Sequence, residues 1–172
     1  MNFMIFGQIA SMCALTCCGF DKKVPTNYVL LGVYTVCMSW LVAVCCIRTQ
    51  PKIVLEAAAL TFSAVVGITF YAFTTSSDFT TCGPILSAVG FIFMMAGFLL
   101  HVFGFHLGLV YSVGGVILTS FYLVFDTQMI MGGDNKRHQF DEDSYILAAM
   151  ALYMDIINIF LYILEILSES DK

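Results

Sequence analysis

Charged residues are scarce in this sequence. They make up 11% of its 172 residues, against about 25% in a typical soluble domain. Apolar residues make up 60%, so a water-soluble fold would lack the polar groups to cover its surface. The net charge of −5 also argues against nucleic acid as a partner. No Asn-x-Ser/Thr site is present, so glycosylation cannot mark the topology. There is no P-loop, dinucleotide fingerprint or nucleophile triad. The seven cysteines have no zinc-like spacing with the three histidines. They read as small apolar residues, with acylation of Cys17 and Cys18, just before Lys22 and Lys23, as the sharper reading. What remains is an integral membrane protein.

A bilayer core of about 30 Å needs roughly 20 helical residues to cross. Six segments qualify: 1–19, 28–47, 53–73, 84–102, 107–131 and 145–167. The apolar runs are continuous rather than alternating, which predicts helices and not a barrel. No linker or repeat divides the chain, so residues 1–172 form one domain. Segment 1–19 has no basic start and no small-residue cleavage site, unlike a signal peptide. Its positive charges follow it, which predicts an N-terminus outside and Lys22/Lys23 in the cytosol. Lys136 and Arg137 then also face the cytosol, while Arg48, Lys52 and Lys172 face the other side.

Four acids fall inside these spans: Glu56, Asp126, Asp155 and Glu165. A carboxylate in the membrane usually faces the protein interior and marks an ion or proton path. Glu56 and Glu165 lie near span ends, where a side chain can also snorkel to the interface. Asp155 is about 15 Å deep at 1.5 Å per residue. Asn158, Tyr162 and Glu165 follow it at helical spacing, giving one polar stripe on an apolar cylinder. Asp126 has Thr119 and Tyr122 on its own face and lies about 9 Å from Gly132. The last two spans form an antiparallel hairpin, so Asp126 and Asp155 can approach each other. Two carboxylates in a dry site resist ionising together and hold one proton between them. Such a pair can sense pH, or it can take Ca²⁺, which prefers carboxylate oxygens. A permanently protonated tie between helices is the plainer alternative.

"FDTQMIMGG" (125–133) and "DSYILAAMALYMDIINIFLYILEIL" (143–167) closely resemble the C-terminal signature of the transmembrane BAX inhibitor motif family. Within it they resemble the lifeguard and glutamate-receptor-associated branch. "VLEAAALTFSAVVGITFYAFTTSSDFT" (54–80) and "VPTNYVLLGVYT" (24–35) are similar to earlier parts of the same fold. The resemblance implies an all-α compact bundle of about six transmembrane helices here, with the last helix central. It implies residence in the endoplasmic reticulum, Golgi or plasma membrane. It implies a cytoprotective Ca²⁺-leak channel, with no cofactor beyond Ca²⁺ as a permeant or bound ion. Asp126 and Asp155 match an aspartate pair that forms the pH-sensitive gate in a bacterial relative. Asp143 matches an acid that matters for ion passage in poxviral and animal members, with Asp where Glu is usual. With Asn158 and Glu56 it makes up the expected ion path. The resemblance also implies seven helices in full-length members and a basic residue on the second, so this chain is expected to begin at the second helix. Segment 1–19 carries no such basic residue.

Two further functions compete. One is a non-conducting adaptor that modulates apoptosis proteins or receptors through helix contacts, paired with itself or with a full-length relative. An intramembrane aspartyl protease would need G-x-G-D in a later span, and Asp155 follows "LYM" instead. The expectation is therefore no enzyme.

Overall fold

A computed structural model describes residues 10–11, 13–14, 23–103, 108–132 and 137–171; for His101 and Glu142 the backbone alone is described. Segment 1–19 lies outside these residues apart from Ala10, Ser11, Cys13 and Ala14, which are helical. Cys17, Cys18, Lys22, His106 and Lys136 also lie outside them.

Among the described residues five long helices carry the fold: α1 (Thr26–Ile47), α2 (Pro51–Thr74), α3 (Gly83–Phe103), α4 (Gly108–Met131) and α5 (Tyr145–Ser170). All five are long and apolar enough to cross a membrane. Each boundary falls within three residues of the span expected from hydropathy. Local chemistry sets the ends. Pro51 occupies the first turn of α2, after Gln50 in an extended conformation. Proline suits that position because its missing N–H has no partner there anyway. Gly132 ends α4 with φ +58°, and its N–H donates to Gln128 O at 3.1 Å. That backbone region favours glycine, which has no Cβ to clash.

The helices alternate in direction. Residues 75–82 and 137–144 therefore share one side of the membrane, called side A here, and 48–50 lies on the opposite side B. Tyr145 and Tyr28 join by their hydroxyls at 3.1 Å on side A. Gln50 Nε2 donates to Asp171 Oδ2 at 3.0 Å on side B.

α5 is the hub. Its strongest packing is with α4, and α2 and α1 also lie against it. Tyr34 and Met38 of α1 form a buried cluster with Ile146 and Met150 of α5. Ile53 and Ala57 of α2 form another with Leu164. α3 touches the bundle through α4. There, tyrosines lie over glycines. A Cβ at Gly90 would collide with the Tyr122 hydroxyl, and one at Gly97 with the Tyr111 hydroxyl. Between α4 and α5, a Cβ at Gly115 would meet the Tyr162 ring at 2.6 Å. Small residues permit such close approach in membranes, where packing replaces the hydrophobic drive. The outer faces carry large apolar side chains such as Phe62, Phe70, Phe91 and Ile92, all strongly exposed to what would be lipid. Trp40 also faces outward, at 52% exposure.

Two measurements follow from this arrangement. In a background with the other cysteines removed, Cys82, which is exposed, should label with an impermeant thiol reagent from the same side as an Arg137→Cys variant. Thr49→Cys should label only from the opposite side. Gly115→Val should lower thermal stability in detergent by about 1–3 kcal/mol, the usual cost of overpacking, and Tyr162→Leu should recover part of it.

Candidate functional site

Hydroxyl groups inside a bilayer must find partners within the protein. Most here bond back to their own helix: Thr35 to Leu31 O, Thr61 to Ala57 O, Thr119 to Gly115 O and Ser120 to Val116 O. These groups are quenched locally. The polar groups that reach between helices are therefore the informative ones.

Asp126 and Asp155 do reach between helices. Their side chains lie close enough to interact across the α4–α5 contact. A bond between two carboxyl groups requires one proton, because an ionised carboxylate only accepts. Asp155 is 4% exposed, and Asp126 is half-buried. Asp155 Oδ2 and Thr127 Oγ1 are both buried with no hydrogen-bond partner among the described residues. These oxygens keep lone pairs available to a cation or to water. Tyr122 lies close enough to feel both acids, yet its hydroxyl donates to Leu86 O of α3 at 2.9 Å. The expected stripe Thr119–Tyr122–Asp126 is thus divided: Thr119 bonds within its helix, Tyr122 turns to α3, and Asp126 alone meets α5.

The other sequence-predicted residues are scattered. Asn158 is half-buried one turn beyond Asp155. Asp143 is exposed on side A in the short turn Glu142–Ser144 before α5. Glu56 is not brought to the pair: it is about half exposed and pairs with Lys52 at 3.7 Å along the outside of α2. Glu165 accepts a hydrogen bond from the fully buried Ser112 at 2.7 Å. That makes a second polar tie between α4 and α5, rather than a group snorkelling on its own. Beside it, a cavity of about 730 Å³ opens on side B, lined by Cys45, Arg48, Tyr162, Glu165, Ser168 and Glu169 among others.

Among the described residues no three His, Cys, Asp or Glu side chains converge on a metal-sized site. Ca²⁺ takes six to eight oxygen ligands. Asp126 and Asp155 alone supply fewer than that.

The residue that sequence reasoning missed is Gln128, which is 0% exposed. Its Nε2 donates to Ser77 O at 3.0 Å and Ala72 O at 3.4 Å, and its Oε1 accepts from Phe79 N at 2.8 Å. The available signal was an amide in an apolar helix two residues after Asp126. At about 100° per residue that places it on the far side of α4.

Apolar, antiparallel helices around a buried acid pair define an all-α, multi-pass integral membrane protein. The chain belongs to the Bax inhibitor family: the profile described as "Bax1-I: Inhibitor of apoptosis-promoting Bax1" matches residues 1–172. It is similar to "Protein LIFEGUARD 2" of Arabidopsis thaliana, with 34% identity over 98% of this chain and 70% of that protein. It is 39% identical to "BI1-like protein" of the same plant over 89% of this chain and 59% of that one. "Protein lifeguard 3" of Homo sapiens is 27% identical over 98% of this chain and 55% of its own length. The chain thus spans between about half and about 70% of these relatives.

Ser112→Ala removes the tie to Glu165. Hydrogen bonds between membrane helices average about 0.6 kcal/mol, so unfolding in mixed micelles should show a loss of about that size. No measurable loss would mean that water serves the exposed Glu165 in place of Ser112.

Proposed function

We propose that this chain forms a pH-gated Ca²⁺ leak pathway in an intracellular or plasma membrane, acting as a passage and not as an enzyme. The cytoprotective role that the family name suggests would follow from control of Ca²⁺ stores. The observation that carries this reading is that the half-buried Asp126 of α4 and the buried Asp155 of α5 lie close enough to interact where the two helices meet.

The chemistry runs through one proton. With a proton between them the two acids bear a single charge and attract, holding α4 on α5. When rising pH removes it, two like charges face each other. Two unit charges about 4 Å apart repel by about 4 kcal/mol at an effective dielectric near 20. That exceeds the roughly 0.6 kcal/mol of a typical interhelix hydrogen bond in a membrane. The pair then separates or takes up a cation, so acid closes the passage and alkali opens it. Asn158, one turn further along α5, and Glu165 at the side B cavity continue the polar face toward water.

A second reading, a non-conducting adaptor bound through its helices, is favoured by one observation. A lateral cavity of about 330 Å³ opens between α2 and α5, lined by Ala58, Phe62, Val65 and Phe160 among others. It has the apolar character expected where another helix, such as a second copy or a full-length relative, would lie.

Purified protein in liposomes loaded with a Ca²⁺ dye separates the two. Flux should rise from about pH 5 to about pH 8 as the shared proton is lost. Asp155→Asn and Asp126→Asn each keep the shape and remove the charge, so each should flatten the pH profile while the protein stays folded. The double variant should add little, because the acids act as one unit. A conducting wild type whose single variants keep a normal profile would make the acids structural. A wild type that carries no Ca²⁺ at any pH would favour the adaptor.

A further inference from the structure

α4 is held from two sides near its side A end. Asp126 faces α5, and Gln128, about 200° around the helix, faces α2 and the turn that follows it. Gln128 makes three bonds with one buried amide: to Ala72 O in the last turn of α2, to Ser77 O and to Phe79 N. The turn it grips is bonded in its own right to the segment beyond α4. Asp78 Oδ1 accepts from Thr80 N and Thr80 Oγ1, and Asp78 Oδ2 accepts from Arg137 N at 3.1 Å. Thr80 Oγ1 accepts from His138 N at 3.2 Å. A connected set of hydrogen bonds therefore runs from the helix that carries Asp126 to residues 77–80 and on to Arg137 and His138.

We infer that Gln128 is a positioning residue of the gate, the tether through which movement of α4 at the acid pair opens or closes the side A turns. This rests on the gating reading above. Gln128 touches no ion. It acts through the turn, so a displacement of α4 away from α5 must either carry residues 77–79 with it or break the bonds to Ser77 and Phe79. The ionisable groups around this linkage are Asp126 and Tyr122 on α4, Asp155 on α5, Asp78 on the turn, and Arg137 and His138 beyond α4. Gln128 itself carries no charge, so its replacement changes the coupling without changing the proton count.

The test joins Ca²⁺ flux in liposomes to amide exchange of residues 75–82, read as protection factors from about pH 5 to about pH 8. In the wild type, protection of this turn should fall as flux rises. Gln128→Leu should remove most of the protection at every pH. It should also raise the leak at the acid end about tenfold, so that the flux profile flattens although both aspartates remain. Gln128→Asn keeps the amide but is shorter by one methylene, and it should lie between the two. It replaces the leucine variant if that fails to fold. If either variant keeps the wild-type flux profile and the wild-type protection, Gln128 is a packing residue and the inference is overturned. If protection falls but the flux profile is unchanged, the tether is structural only, which also overturns it. If the wild type carries no Ca²⁺, the channel reading fails separately. The exchange data then decide alone: a protection that varies with pH and is lost in the variants supports the tether, and one independent of pH overturns it.

Discussion

Hydrocarbon offers no hydrogen bonds, and the rest of this structure depends on that constraint. Each polar atom within the bundle must be answered by another atom of the chain or by something that enters it. Thr35, Thr61, Thr119 and Ser120 meet the demand within their own helices. Tyr111 and Tyr122 meet it by donating to backbone carbonyls of α3, at Phe93 and Leu86. Ser112 and Glu165 meet it together. Asp155 meets it only in part, since one of its oxygens has no partner among the described residues. Among the incompletely satisfied groups, Asp155 is the one that can also carry a charge, and that marks it as a place where chemistry is possible.

The spans were legible because length and hydropathy are properties of the chain itself. A run of about 20 apolar residues has few alternatives in a bilayer. The acid pair was legible for a related reason, since a carboxylate deep in such a run needs a partner and the hairpin offered one. Which way each helix faces was much less legible. In water the polar face of a helix announces the solvent side. Here both faces are apolar, so Trp40 gave no sign of pointing outward, and Glu56 could be placed on either the ion path or the interface. Thr119 and Tyr122 share a face with Asp126 by spacing, but the sequence does not say that one bonds to its own backbone and the other to a neighbouring helix.

Gln128 shows the limit most clearly. Its three partners are backbone groups, and backbone groups leave no trace in a residue pattern. A carboxylate seeks another charge or a proton and so points to a particular kind of side chain. An amide is content with any N–H and C=O pair the fold supplies. The same holds for Gly90, Gly97 and Gly115, whose role depends on tyrosines brought over them by other helices.

The hub of the bundle is also the helix that follows all its neighbours in the chain. During synthesis α1 and α2 enter the membrane before the surface they lean on exists, and Asp126 on α4 enters before Asp155. Domains generally form as units while the chain emerges, but this one must wait for α5. Until then a carboxylic acid sits in lipid without its match, and the groove destined for α5 is open to any passing helix. The order of the helices along the chain thus creates an interval in which the unfinished bundle depends on the machinery that shields nascent membrane proteins.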